Sequence, residues 1–237
     1  MKALLFAAGK GTRLKPFTDH HPKALAKVNG VPLLERNIKY LQSFGINDFV
    51  VNVHHFGVQI VDFLIENKYF GAKIQISNEK DQLLETGGGL LFAREYLEND
   101  GDFLIMNTDI LTDLNLNQLI KFHYTKNDFV TLAVSDRKSS RKLLFNEDMV
   151  LRGWQNTDSG EKRLAEPDPG FKALAFSGIH CVNPAIFGKI KRQGKFSIID
   201  EYLDLMLSEE IRGYEHNATL IDVGRPESVL DAEKYFK

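Results

Sequence analysis

The stretch Leu5-Phe6-Ala7-Ala8-Gly9-Lys10-Gly11-Thr12-Arg13-Leu14-Lys15-Pro16, followed at Pro22-Lys23 by a further cation, is the part of the chain best equipped for chemistry. An apolar strand that opens into small residues can turn several backbone N–H groups toward one phosphate chain, because glycine permits left-handed backbone angles and close approach. Ala8, Gly9, Gly11 and Thr12 supply those amides, and Arg13 and Lys23 supply fixed positive charge. A cradle of amides with two cations suits a triphosphate whose leaving group is pyrophosphate. The spacing is not a dinucleotide-binding fingerprint, since Leu14 stands where a third glycine would be, and no Gly-Lys-Ser/Thr closes it as a P-loop. The same residues would also serve as a plain turn with surface cations.

Two carboxylates have the right neighbours for a metal. Asp109 follows an apolar run at 102–107, where a charge is costly unless paired or liganded, and the carboxyl ends of strands are where open α/β sheets bind ligands. Asp222 follows Thr219-Leu220-Ile221 in the same way. Together they can hold Mg²⁺, a hard cation that prefers oxygen; apart, each can simply cap a loop by hydrogen bonding, and the residues alone leave both readings open. No Ser-His-Asp set is evident. His54 and His55 are adjacent on a strand and point to opposite faces, which argues against a shared ligand role.

The 237 residues carry 43% hydrophobic and 26% charged side chains and a net charge of −2. That balance is ordinary for a globular domain and does not favour nucleic acid or an anionic membrane as partner. Cys181 is the sole cysteine, so no internal disulfide forms, which fits a reducing compartment. No apolar run approaches the roughly 18 residues of a membrane helix. The expectation is a cytoplasmic protein, a monomer or small homo-oligomer, with residues 1–237 forming one domain.

The elements that would position these groups alternate. Strands are expected at 2–8, 48–53, 73–77, 102–107 and 128–135, and helices at 32–44, 57–68, 88–97 and 115–125, where apolar residues recur at helical spacing. Residues 136–175, rich in turn formers, read as hairpins and loops beside the main sheet. A strand at 176–182, helices at 184–190 and 198–207, a short strand at 218–223 and a helix at 226–236 complete the chain. The pattern predicts an α/β fold, a mixed, mainly parallel sheet flanked by helices, with added hairpins.

The segment Ala7-Ala8-Gly9-x-Gly11-Thr12-Arg13-Leu14-x-Pro16-x-Thr18-x-x-x-Pro22-Lys23 resembles the signature of the sugar-1-phosphate nucleotidyltransferases. The resemblance continues through Leu84-Glu85-Thr86-Gly87-Gly88-Gly89, Asn107-Thr108-Asp109, Phe176-Ser177-Gly178-Ile179 and Leu220-Ile221-Asp222-Val223-Gly224, in the family's order. It implies a Rossmann-like nucleotidyltransferase fold, with Arg13 and Lys23 catalytic and Asp109 and Asp222 holding Mg²⁺. It implies nucleotide contacts from Ala8, Gly9, Gly11, Thr12, Arg13, Asn52, Gln82, Gly87, Gly88 and Thr108. Gln82 would read a base edge with its amide, which offers both a donor and an acceptor. Sugar contacts would come from Glu166 and Gly178. The family often reads Glu-Lys-Pro at the sugar, whereas here Glu166 precedes Pro167 and Asp168, with no lysine. The implied partners are an NTP and a sugar 1-phosphate. The short chain and the Glu-Thr-Gly-Gly-Gly variant resemble the N-acetylmuramate 1-phosphate uridylyltransferases most, with mannose-1-phosphate guanylyltransferases next and an inactive nucleotide-sugar-binding regulator as the alternative of another class. Arg137, Lys138, Arg141, Lys142 and Arg163 are the cations available to a sugar that carries a carboxylate.

Overall fold

The computed structural model of the chain describes residues 1–80, 82–167 and 169–237. Its strands are β1 (Ala3–Phe6), β2 (Lys27–Val28), β3 (Val31–Pro32), β4 (Asp48–Val53), β5 (Lys73–Asn78), β6 (Phe103–Asn107), β7 (Ile110–Thr112), β8 (Val130–Ser135), β9 (Arg141–Phe145), β10 (Leu151–Asn156), β11 (Lys162–Leu164), β12 (Lys172–Val182), β13 (Ile211–Glu215) and β14 (Leu220–Asp222). Its α-helices are α1 (Leu33–Ser43), α2 (Gly57–Glu66), α3 (Glu85–Phe92), α4 (Leu116–Lys126), α5 (Ile198–Leu205) and α6 (Pro226–Tyr235).

Ten strands share one mixed sheet. β5, β4, β1 and β6 lie side by side and parallel, so their carboxyl ends open at one edge. β12 continues the sheet antiparallel to β6, and beyond it the β9–β10–β11 hairpins pair antiparallel. β8 also pairs with β12 and carries β13 parallel to it.

Successive side chains of a strand point to opposite faces, and the two cores follow that rule. Leu4, Val50, Phe103 and Ile105 join α3 and α5 on one face. Ala3, Leu5, Val51, Leu104 and Met106 join α1, α2 and α4 on the other. Side-chain oxygens fix two helix starts: Asn115 accepts from the Gln118 amide before α4, and Ser197 from the Ile199 amide before α5. A smaller core under α6 gathers Leu14, Val28, Leu33, Leu111, Val223 and Ala232, tying the loop after β1 to the end of the chain.

Three departures from the sequence reading matter. The helix expected at 88–97 runs Glu85–Phe92, so Gly87, Gly88 and Gly89 lie inside it. Each meets a close neighbour: an added Cβ would lie 2.3 Å from the Phe196 ring at Gly87, 2.2 Å from the Gly194 carbonyl at Gly88 and 2.6 Å from the Glu79 carboxylate at Gly89. Close packing outweighs the low helix propensity of glycine here. The segment at 184–190 is a 3₁₀ turn, Pro184–Gly188, rather than an α-helix. Strand β13 was not expected, because Gly213 interrupts its apolar pattern; that glycine admits Phe145 and Met149 against the backbone.

Candidate active site

Phe6, Asn52 and Asn107, the last or near-last residues of three parallel strands, line a cavity of about 310 Å³ together with Ala8, Gly9 and Lys23. The loops that follow these strands are cross-tied. The Ala7 amide donates to the Asn52 carbonyl (2.9 Å), and the Thr108 hydroxyl donates to the Phe6 carbonyl (2.7 Å). Asn37 of α1 donates to the Thr108 carbonyl (2.8 Å) from a buried position. Thr108 therefore lines the cavity with its hydroxyl proton already engaged.

The two glycines of the first loop differ. Gly11 sits at φ +61°, and a Cβ there would lie 2.8 Å from Thr18 Cγ2 and 2.9 Å from Lys23 Cβ. The Thr18 hydroxyl donates to the Gly11 carbonyl (2.9 Å), so this glycine lets the loop close down on the lysine stem. Gly9 needs no left-handed angle, and no atom lies within 4 Å of where its Cβ would be. It leaves the cavity wall open to a ligand. Thr12 and Arg13 begin a 3₁₀ turn and are exposed. The Arg13 guanidinium lies against Gly224, its Nη2 3.0 Å from the place a Cβ would take.

Asp109 and Asp222 come together through a ladder that sequence spacing could not show. β14 pairs antiparallel with β7, which sets Asp222 opposite Ile110, and the Val223 amide donates to the Asp109 carbonyl (2.8 Å). The Lys23 side chain is 11% exposed, and its ammonium hydrogen-bonds Asp109 Oδ2 and lies 3.9 Å from Asp222 Oδ1. Burial pushes the Asp222 carboxyl above the usual carboxylate range and the Asp109 charge pushes it further, while Lys23, Arg13 and Arg137 pull it back. Among the described residues no group of three or more His, Cys, Asp or Glu side chains could hold a metal.

On the other wall, Asn52 is buried and donates to the Glu79 carboxylate (2.8 Å), whose second oxygen accepts from the Leu84 amide (2.8 Å). The sequence reading passed over Glu79, although it lies just past the carboxyl end of β5, where the rule applied to Asp109 would have found it. The Gly87 and Gly88 amides both donate to the Phe196 carbonyl (2.9 and 3.4 Å). Gln82 is exposed and outside the residues that line the cavity.

A second cavity, about 540 Å³, adjoins the first at Ser197, which lines both. One wall is a face of the hairpins: Trp154 stands opposite Leu143 and Arg163, and Asn156 opposite Arg141, all on the cavity side. Asp200 lines it too, paired with Arg163 (3.0 Å). Gly178 lies at a register shift in β12 with φ +74°, and its missing side chain makes room for Asn107 and Ile110 on either side of Asp109.

The structure does not bring Glu166 to either cavity. β11 ends at Leu164 and the Ala165 amide donates to the Arg152 carbonyl, so the chain turns away and Glu166 pairs with Arg152 (3.3 Å) beside the 145–149 turn. Trp154 and Asn156 line the second cavity instead, both from β10. Asp168 lies outside the described residues.

Residues 2–145, more than half of the chain, match the family model described as nucleotidyl transferase. Over 94% of this chain and 93% of its own length, the N-acetylmuramate alpha-1-phosphate uridylyltransferase of Neisseria meningitidis serogroup B is 29% identical. The bifunctional protein GlmU of Methanocaldococcus jannaschii is 27% identical over 99% of this chain, which spans only 54% of that protein's length. Among solved structures, HddC from Yersinia pseudotuberculosis complexed with GMP-PN superposes with a TM-score of 0.82 over 100% of this chain and 99% of that one, at 21% identity. The Rossmann-like nucleotidyltransferase fold is thus shared.

Proposed function

Since the chain belongs to the nucleotidyl transferase family, we propose that it transfers the uridylyl group of UTP to N-acetylmuramic acid 1-phosphate, giving the UDP-sugar and pyrophosphate. The observation that carries the reading is Lys23, held between Asp109 and Asp222 on the wall of a cavity that adjoins, at Ser197, a second one lined by cations. The first cavity suits the nucleotide and the second the acceptor sugar; both volumes lie in the range of small-molecule sites. Nucleotidyl transfer to a sugar 1-phosphate is the activity that family and relatives support together. The choice of UTP and a lactyl-bearing sugar rests on the near end-to-end likeness to the Neisseria protein and on the second cavity. Arg141 there is exposed and has no ion-pair partner among the described residues, and it can meet a carboxylate.

The acceptor phosphate is already ionised near neutral pH, so one of its oxygens attacks the α-phosphorus without a protein base. The new O–Pα bond forms as the bond from Pα to the bridging oxygen breaks, and pyrophosphate leaves with that electron pair. The chain's part is positioning and neutralisation of growing charge. The amides of Ala8, Gly9, Gly11 and Thr12 and the cations Arg13 and Lys23 hold the triphosphate; Asn52, fixed by Glu79, faces the nucleoside.

Mg²⁺ fits this donor set. Asp109 and Asp222 would hold it, since two carboxylates suit a cation that keeps waters and takes phosphate oxygens for its remaining positions. The Lys23 ammonium already contacts both carboxylates, so the pair is placed to share one cation. When bound, the ion would neutralise phosphate charge at the reacting centre. The same reading places the enzyme in the cytoplasm with its nucleotide pool; no helix among the described residues is long and apolar enough to cross a membrane.

The test is a panel of UTP, GTP, dTTP and CTP, each with N-acetylmuramic acid 1-phosphate and mannose 1-phosphate, scored by pyrophosphate release. UTP with N-acetylmuramic acid 1-phosphate should give the highest kcat/KM. A preference for GTP with mannose 1-phosphate would replace the substrate pair, and tight binding without release would point to an inactive regulator.

A further inference from the structure

Arg137 follows β8 and has no part in the assignment above. Its Nη2 donates to the Phe176 carbonyl (2.8 Å), which anchors the guanidinium on β12 two residues before Gly178. Its Nε is buried without a hydrogen-bond partner among the described residues. The side chain lines the second cavity beside Phe176. Gly178, just beyond that anchor, packs against Asn107 and Ile110, the residues that flank Asp109. Arg137 thus lines the second cavity from the strand that runs past Asp109.

The other cations of that cavity are placed differently. Lys142 donates to the Arg137 carbonyl (2.7 Å), and Arg163 is paired with Asp200 and Asp204. Arg141 is exposed at the start of β9. An acceptor with its ring in the second cavity must set its phosphate at the border, where the attacked α-phosphorus meets the aspartates. A buried guanidinium N–H left unpaired is costly, and a phosphate oxygen satisfies it with a charge-assisted bond.

We propose that Arg137 receives the phosphate of the sugar 1-phosphate acceptor, its N–H groups holding non-attacking oxygens while another oxygen of that phosphate forms the bond to Pα. Arg137 gives up no proton, since its guanidinium stays charged throughout; the electron pair of the broken bond leaves on pyrophosphate. The proposal rests on the nucleotidyl-transfer reading but not on which base or sugar is used.

The test compares wild type with Arg137→Gln, whose amide can still donate to the Phe176 carbonyl, and with Arg137→Lys, which keeps the charge and loses the fork. With the best substrate pair, Arg137→Gln should raise the acceptor KM about ten- to a hundredfold, the range of a hydrogen bond to a charged group. The KM for the NTP should stay unchanged, and Arg137→Lys should recover part of the loss. Calorimetric titration with the sugar 1-phosphate alone should show the same weakening, so Arg137 is testable even if the wild type releases no pyrophosphate, a result that would sink the functional reading instead. A folded Arg137→Gln with wild-type acceptor KM and affinity overturns the proposal. If Arg137→Gln does not fold, Arg137→Lys decides: an equal rise in both KM values overturns it, and a rise confined to the acceptor sustains it.

Discussion

Gly178→Ala should damage both stability and turnover, by an amount that follows from its surroundings. The residue has φ +74°, and holding alanine in that left-handed region costs roughly 1–2 kcal/mol. The new Cβ would lie 2.9 Å from Ile110 Cγ1 and 3.0 Å from Asn107 Nδ2, so one of them must move. Overpacking of that kind costs about 1–3 kcal/mol. Together these give about 3 kcal/mol as a central value, a large share of the 5–15 kcal/mol typical of a folded protein. For a chain of this length about 3 kcal/mol corresponds to a melting-temperature drop of about 6–12 °C. Because Asn107 and Ile110 flank Asp109, the surviving folded protein should also turn over more slowly. Gly45→Ala is the control: φ is +80° there, but no atom lies within 4 Å of the added Cβ. It should lose only the backbone part, about 1–2 kcal/mol, and keep full activity. Melting curves and pyrophosphate release on both variants test this; equal drops in the two, with Gly178→Ala fully active, would refute the claim that crowding beside Asp109 matters.

Lys23→Ala should fold and lose about two orders of magnitude in turnover, the scale of a lost transition-state donor; a folded variant at wild-type rate removes Lys23 from the mechanism. Asp109→Asn should lose Mg²⁺-supported activity, because a neutral amide binds a hard cation poorly, and excess EDTA should silence the wild type; activity that survives EDTA argues against the metal. His180 is buried between Phe176 and Tyr202 with neither ring nitrogen partnered among the described residues, and burial pushes its pKa down to about 3. The unfolded chain, near 6.5, binds the proton first, so this group withdraws stability as pH falls below about 6.5. His180→Leu should therefore lose less melting temperature than wild type between pH 7 and pH 5, and parallel pH curves would show that His180 does not set the acid limb.

The loop after β1 was legible because its chemistry and its sequence coincide: Gly11, Arg13 and Lys23 lie within one short segment. The parallel strands were legible from apolar runs, and their carboxyl ends located Asn52 and Asp109. What joins Asp109 to Asp222 was not, since the two-stranded β7–β14 ladder is short and its partners are distant in sequence. The hairpin wall was hidden for a different reason. The resemblance pointed to Glu166, which lies away from both cavities, whereas the β10 register turns Trp154 and Asn156 into the second one, and register depends on pairing partners that a single strand does not declare. Glycines 87–89 illustrate the reverse case: a motif expected at the base is, in the fold, part of a helix packed on the 194–196 loop at Gly87 and Gly88 and on Glu79 at Gly89.

The most direct test of nucleotidyl transfer follows the phosphorus atoms. UTP labelled separately at the α and γ positions is incubated with the protein, Mg²⁺ and N-acetylmuramic acid 1-phosphate, and the products are separated. The account predicts α-label in a UDP-sugar and γ-label in pyrophosphate, in equal amounts. Label from the γ position in the sugar product, or as free phosphate with no UDP-sugar formed, would contradict it.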